Sequence, residues 1–477
     1  MDFCVEEVTI LGIQAAFKSG ELTSVQLTNM YIERIAKHDK GGVALNSVLE
    51  LNPDAWYIAA ARDEERKRGM IRGPLHGVPI LLKDNINTAD NMHTSAGSVA
   101  LSDSFASYDA FLVGRLREAG AVLLGKTNMT EWANFMTKGM PNGYSSRGGQ
   151  VLNPYAPATL DPGGSSSGSA VAVAANLCAA AVGTETSGSI LNPARKNSVV
   201  GLKPTVSLVS RAGIVPISYT QDIAGPIART VEDAAILLGV LAGEDPSDAS
   251  TGQSQGKAHP DYSIFLDRNG LCEARIGINR GYIENFDEEE LGLFAKAVSV
   301  LKEAGAVIIE NANVPHIANK STVLLYEFKS AVNRYLASLG PKAPVKTLRE
   351  VIEFNNLHHP EALRYGQSLL LKAEYETSGT LTEAEYLKDR LRDWRASREE
   401  GIDKALIEHR LDALFAPDFS DAPAVAGYPA IIVPAGYKAD GKPFGVSFTG
   451  DAFSEPTLLR LAYAFEQATK SRVAPSL

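Results

Sequence analysis

Cysteine is scarce in this chain of 477 residues, with three thiols, Cys4, Cys178 and Cys272, set far apart. An odd number without short spacings builds neither a disulfide framework nor a metal motif, and it suggests a reducing compartment, the cytoplasm. Basic runs are missing too. The formal net charge is −10, which argues against nucleic acid, whose phosphates need clustered cations. The start, Met1-Asp2-Phe3-Cys4-Val5-Glu6-Glu7, has no basic segment leading into an apolar one, so no signal peptide is expected there. Long uncharged apolar runs are absent outside the Ala-rich segment 170–182. That segment holds Asn176 and lies between Gly/Ser turns, so it reads as protein core rather than membrane span. Histidines are few, and His316, His359 and His409 stand in no context that marks a catalytic base.

What is present is globular in character, with 45% apolar and 21% charged residues. The length suits two or three domains, or one large α/β unit. Residues 8–37 predict helix with a break near Gly20, and Thr23 with Gln26 has capping-box spacing. Residues 49–68 predict a second helix. Val78-Pro79-Ile80-Leu81-Leu82 reads as a strand buried on both faces, with Lys83 at its end. A lysine there is either satisfied by an acid, for which Asp84 is adjacent, or used for chemistry. His76 reads as a turn residue. Residues 110–119 and 121–126 form an αβ step of the kind that builds a largely parallel sheet. Residues 139–164 are rich in Gly, Pro, Asn and Ser and predict a long ordered loop. Strands follow at 199–203, 274–278, 306–309, 430–434 and 445–448. Helices are expected at 231–242, 288–304 and 455–470. Residues 211–226 read as loop and 243–260 as a surface insertion, while 320–410 predict a helical layer covering the sheet.

The chain is organised around 161–195. Gly163, Gly164 and Gly168 bracket Ser165, Ser166 and Ser167. Residues 167–178 predict a helix about 18 Å long, and 179–184 a buried strand about 20 Å long. A strand running back along its helix returns Ser189 to the level of Ser165.

Three chemistries compete for these serines. A phosphate cradle requires a lysine after the second glycine, and Ser169 stands there. A nucleophile elbow matches Gly164-x-Ser166-x-Gly168 and describes an α/β-hydrolase-like esterase, but it needs a strand directly before it, where prolines 154, 157 and 162 stand. The third pairs two serines with Lys83. Burial can lower a lysine from ~10.4 to ~7 at a cost of roughly 4 to 5 kcal/mol, giving a neutral base for a weak hydroxyl nucleophile. The nucleophile belongs where backbone N–H groups meet a developing oxyanion, each worth ~3 kcal/mol. The turn Thr186-Ser187-Gly188-Ser189 suits that role, and Ser165 suits a proton relay.

Lys83 after its strand, Gly-Gly-Ser-Ser-Ser-Gly at 163–168 and Gly-Thr-Glu-Thr-Ser-Gly-Ser-Ile at 183–190 together resemble the amidase signature family. The flanking segments 125–135, 201–205 and 426–429 extend the resemblance over about 8–470. It implies an α/β fold in one unit spanning 1–477, a large mixed β-sheet core covered by helices. It implies Ser189 as nucleophile, Ser165 after a cis peptide as relay, Lys83 as base, and backbone N–H groups of Thr186, Ser187, Gly188 and Ser189 as oxyanion hole. It implies no metal or organic cofactor, with Ser166 and Ser167 structural.

Within the family, the A-type amidotransferase subunits typically carry Arg two positions after the nucleophile, where this chain has Leu191. Arg195 and Lys196 lie further on and read as surface residues. Thr130 to Phe135, Arg147-Gly148-Gly149-Gln150 and Gly183 to Thr186 look most like peptide amidases and stand-alone bacterial amidases, although Ser187 replaces an Asp common in those enzymes. Trp132, Phe135, Tyr144, Gln221 and Asp222 are candidate pocket residues. The expectation is an amide hydrolase, monomer or homodimer, acting on peptide C-terminal amides or small amides, with esters and carbamates open to the same acyl-enzyme route. The alternative is an A-type subunit of a tRNA-dependent amidotransferase. No nucleic acid or membrane is expected as partner.

Overall fold

The apolar segment ending in Lys83 forms the strand Pro79–Lys83, buried at every position. Continuous burial requires a neighbour on each edge, and the sequence supplies two more apolar runs. Val122–Thr127 pairs with it in parallel on one side and Ala180–Glu185 in parallel on the other. The register aligns Ile80, Leu81 and Leu82 with Ala180, Ala181 and Val182. The computed structural model describes residues 3–477 apart from 282, 284, 285 and 318–320. Met1 and Asp2 of the acidic N-terminal stretch, and Lys320 at the start of the helical region, lie outside the described residues.

These strands belong to a mixed sheet of 11 strands. Its order is Val48–Leu51, Val122–Thr127, Pro79–Lys83, Ala180–Glu185, Ile223–Ala228, Val200–Lys203, Ala430–Tyr437, Pro443–Thr449, Ala413–Ala416, Arg275–Ile278 and Val307–Ile309. Ile223–Ala228 runs antiparallel to both its neighbours. The predicted large mixed sheet is therefore present.

Helices Ile10–Ser19 and Ser24–Arg34 fall where expected, and Thr23 with Gln26 makes the reciprocal capping box. The region after 320 is helical as predicted, with Ser321–Ser338, Leu348–Leu357, Ser368–Glu376, Ala384–Ser397 and Asp403–His409. Phe328, Val332, Tyr335 and Leu336 of its first helix pack onto Trp132, Phe135 and Tyr144. Among the described residues no helix is long and apolar enough to cross a membrane.

Three expectations fail. Residues 49–51 are strand rather than helix, because Val48–Leu51 pairs antiparallel with Val122–Thr127 and the helix begins only at Ala55. Residues 223–226 are strand rather than loop. Pro226 is tolerated because the ladder to Val200–Lys203 covers only Ile227 and Ala228, so no donor is needed at 226 on that edge. The Ala-rich helix is also shorter than 167–178. It spans Ser167–Ala174 and ends before Asn176, which adopts a left-handed φ of 57°.

Every residue of Ser167–Ala174 is buried. Small side chains make this possible. A Cβ on Gly168 would lie 2.3 Å from the carbonyl oxygens of Ser47 and Asn128, so only glycine lets the helix sit so close to the strands.

Candidate active site

The register that aligns Leu82 with Val182 brings the end of the Lys83 strand beside Thr184. Lys83 Nζ lies 2.8 Å from Ser165 Oγ, 2.9 Å from Thr184 Oγ1 and 3.2 Å from Thr184 O. The side chain is fully buried, and burial pushes its pKa down to about 7, against the opposing pull of the Asp222 and Glu185 carboxylates. Asp84 does not neutralise it. That carboxylate faces the Ser95 hydroxyl, Gly97 N–H and Arg147 instead. Asn85 Nδ2 donates to Thr184 Oγ1 at 3.0 Å. His76 Nε2 donates to the Arg62 carbonyl, 3.0 Å away, and takes no part in this cluster.

Ser165 is buried, and the peptide before it, Gly164–Ser165, is cis. Ser166 N–H donates to the Ser189 carbonyl at 3.2 Å. Residues 165 and 189 therefore come level, although the expected match of lengths fails, the shorter helix rising about 12 Å against about 20 Å for the strand. Ser166 itself is tied into the backbone. Its hydroxyl donates to Thr184 O at 3.0 Å and accepts from Thr184 N–H at 3.2 Å. It is wholly buried, and no strand leads into it. The elbow arrangement is thus not built here.

The turn at 186–189 is held by its carbonyls and side chains. Gln221 Nε2 donates to Thr186 O at 3.0 Å, and Asn192 N–H donates to Gly188 O at 2.7 Å. Thr186 Oγ1 donates to Asp222 at 2.5 Å, and Ser187 Oγ donates to Asp421 at 2.9 Å. Glu185 Oε2 accepts from the N–H groups of Ile190 and Leu191 at 2.8 and 3.0 Å, which ties the strand end to the segment beyond Ser189. Gly188 has φ of 76°, and a Cβ there would come within 2.4 Å of the Phe419 ring. The carbonyls of Thr186, Gly188 and Ser189 are thus taken. Among the described residues, the backbone N–H groups of Ser187, Gly188 and Ser189 meet no protein acceptor.

The predicted pocket residues divide. Trp132, Phe135 and Tyr144 join the apolar cluster under the covering helices, with Phe135 4.7 Å from the Phe328 ring. Gln221 is committed to Thr186. Asp222 lines a cavity of about 770 Å³ that also touches Asn85, Thr184, Thr186, Arg334 and Tyr335. Burial raises the Asp222 carboxyl to about 6, partly offset by donors from Thr186, Ile217 and Ser218.

Arg195 is not at the surface, contrary to expectation. Its side chain is 5% exposed, lies 3.5 Å from Asp418 and 3.7 Å from Glu290, and stacks on the rings of Phe286 and Phe444. Sequence reading also missed Asn85, Thr184, Glu185 and Asp421. Thr184 and Glu185 lie inside the 183–190 motif. Asp421 lies 234 positions from Ser187 and carries no local signal. Among the described residues no group of three or more His, Cys, Asp or Glu side chains could hold a metal ion.

The family model described as Amidase matches residues 26–425. The chain belongs to the amidase family. A probable amidase of Arabidopsis thaliana is 44% identical, over 99% of this chain and 92% of the relative. The native peptide amidase of Stenotrophomonas maltophilia is 47% identical and superposes with a TM-score of 0.94, covering 99% of both chains. The A-type subunit of the glutamyl-tRNA(Gln) amidotransferase from Thermotoga maritima stands further off. It is 25% identical with a TM-score of 0.73, over 100% of this chain and 99% of that one. As a member of this family the protein is an amide hydrolase.

Proposed function

We propose that this amidase hydrolyses the C-terminal carboxamide of peptides, and small neutral amides, through an acyl-enzyme on Ser189. The observation that carries the reading is the buried Lys83 amine, 2.8 Å from Ser165, with a pKa near neutrality. A neutral amine has two N–H bonds and one lone pair. Thr184 O can only accept, so it takes one N–H. Thr184 Oγ1 takes the other, together with one from Asn85. The lone pair is left facing Ser165 O–H. Lys83 then draws the Ser165 proton as Ser165 draws that of Ser189.

The Ser189 oxygen bonds to the amide carbon, and the oxyanion is met by the unengaged N–H groups of the 186–189 turn. The C–N bond breaks as the amine leaves with the relayed proton. Water, deprotonated along the same path, then cleaves the acyl ester and restores Ser189. The likeness to a peptide amidase supports a peptide amide as substrate. Leu191 in place of Arg supports hydrolysis by the chain alone rather than amide transfer within a complex. The 770 Å³ cavity has the size of sites that enclose drug-sized ligands.

The test is to incubate the purified chain with a peptide amide and follow ammonia and free acid. Release without any added protein, its loss in Ser189→Ala, and a transient mass increase on the peptide containing Ser189 are expected. Turnover that needs added protein chains, or that survives in Ser189→Ala, overturns the reading.

A further inference from the structure

We propose that Asp421 is a positioning residue for the hydrolysis. Through the Ser187 hydroxyl it holds the 186–189 turn so that the backbone N–H groups of that turn face the substrate carbonyl oxygen. The inference rests on the reading of that turn as the oxyanion hole.

The turn is gripped from two sides. On one, Gln221 and Asp222 hold Thr186. On the other stands the segment between the strand Ala413–Ala416 and the helix Ala422–Ala426. Two of its residues reach the turn. The Phe419 ring fills the space beside Gly188, and the Asp421 carboxylate accepts from Ser187 Oγ at 2.9 Å.

Asp421 occupies the N-cap position of Ala422–Ala426, yet its carboxylate makes no cap hydrogen bond. An aspartate at that position ordinarily accepts from the second or third N–H of its own helix. Here the side chain is turned to Ser187 instead. The segment is anchored at its other end. Phe419 N–H donates to Asp418 Oδ1 at 2.8 Å, Ser447 Oγ donates to Asp418 O at 2.6 Å, and Arg195 lies 3.5 Å from the same carboxylate. Asp421 is therefore a fixed point against which the Ser187–Gly188 peptide is set. Thr186 and Ser189 are restrained by their own hydrogen bonds. Besides the Phe419 ring packed beside Gly188, the Ser187–Gly188 peptide has no other side-chain hydrogen bond to fix it among the described contacts.

An oxyanion hole works by geometry, because its donors must aim at where the negative charge forms rather than at the resting carbonyl. A turn freed to rock weakens transition-state binding more than substrate binding, so the loss falls on kcat rather than KM. Removing a donor outright costs roughly 100- to 1,000-fold. Misaiming one should cost about tenfold.

Steady-state kinetics on one peptide amide, with wild type, Asp421→Ala, Asp421→Asn, Ser187→Ala, the Ser187→Ala/Asp421→Ala double variant and Ser189→Ala, test this. Asp421→Ala and Ser187→Ala should each lower kcat about tenfold and leave KM within about twofold. The double variant should be no worse than either single one, because both remove the same hydrogen bond. Asp421→Asn keeps an oxygen acceptor for the Ser187 hydroxyl and should restore most of kcat. If Asp421→Ala does not fold, Ser187→Ala and Asp421→Asn still decide the matter.

Additive losses, a loss confined to KM, or an Asp421→Asn variant as slow as Ser187→Ala overturns the proposal. Inactive Ser189→Ala beside wild-type kcat in Ser187→Ala and Asp421→Ala overturns it alone. Full activity in Ser189→Ala removes the nucleophile assignment on which it stands.

Discussion

Replacing Lys83 with Met should abolish turnover and make the folded protein more stable. An ordinary lysine titrates near 10.5, and burial takes Lys83 to about 7. At about 1.4 kcal/mol per tenfold, holding that side chain inside costs about 5 kcal/mol at pH 7 and below. The direction with pH is definite. Below pH 7 the lysine is charged in both states and the whole cost stands. Between pH 7 and 10.5 the unfolded chain binds a proton that the native state does not, so native stability climbs with pH. Above 10.5 both states are neutral and the cost is gone.

Methionine fills the same space without the charge. Against that stands the loss of partners for Ser165 and Thr184, about 1 to 3 kcal/mol. The net gain at pH 7 is about 2 to 4 kcal/mol, which for a chain of this size is about 2 to 4 °C in Tm. Calorimetry of both proteins from pH 6 to 10 should show the advantage of Lys83→Met shrinking, then reversing, as pH rises. The wild-type kcat/KM should rise with pH up to about 7 and then level, falling at pH 5 to about one hundredth of its plateau. A variant destabilised equally at pH 6 and pH 10, or a wild-type rate flat from pH 5 to 8, would refute the reasoning.

The Asp222 carboxylate favours the charged form of Lys83, so Asp222→Asn should move the acid limb of kcat/KM to lower pH; an unmoved or alkaline-shifted limb counts against the coupling. Ser166→Ala removes both its bonds to the Thr184 backbone and should cost about 1 to 3 kcal/mol in chemical denaturation while still forming acyl-enzyme. Ser165→Ala should slow acylation about 100- to 10,000-fold in stopped-flow. Gly188→Ala requires a methyl group within 2.4 Å of Phe419 and a strained positive φ, so ammonia release should drop at least 100-fold, as for loss of an oxyanion donor.

Much of the site was legible in linear form because its parts are local. A continuously apolar strand ending in lysine, a glycine-bracketed serine triplet, and a helix followed closely by a buried strand require no distant information. The capping box at Thr23 and the C-terminal strands are of the same kind. The misreadings occur where local preference is overridden. Leu49 to Leu51 carries ordinary helix formers, but an open edge beside Val122–Thr127 takes it as strand, with Glu50 paired to Arg147. Gly225-Pro226 has the composition of a turn, yet it lies within a strand whose pairing with Val200–Lys203 stops at Ile227. Arg195 carries a charge that composition places outside, and two acids and two rings draw it inside.

The residues alone therefore determined that Lys83 ends a buried strand and that residue 165 returns close to residue 189, since these follow from patterns local in the chain. What only the tertiary structure decided is the state those groups are held in. The depth of burial that leaves Lys83 near neutrality depends on strands paired across the sheet. So does the grip on the 186–189 turn by Gln221, Asp222, Phe419 and Asp421. Dielectric surroundings and hydrogen-bond geometry are sums over neighbours in space, and most of those neighbours lie far away along the chain.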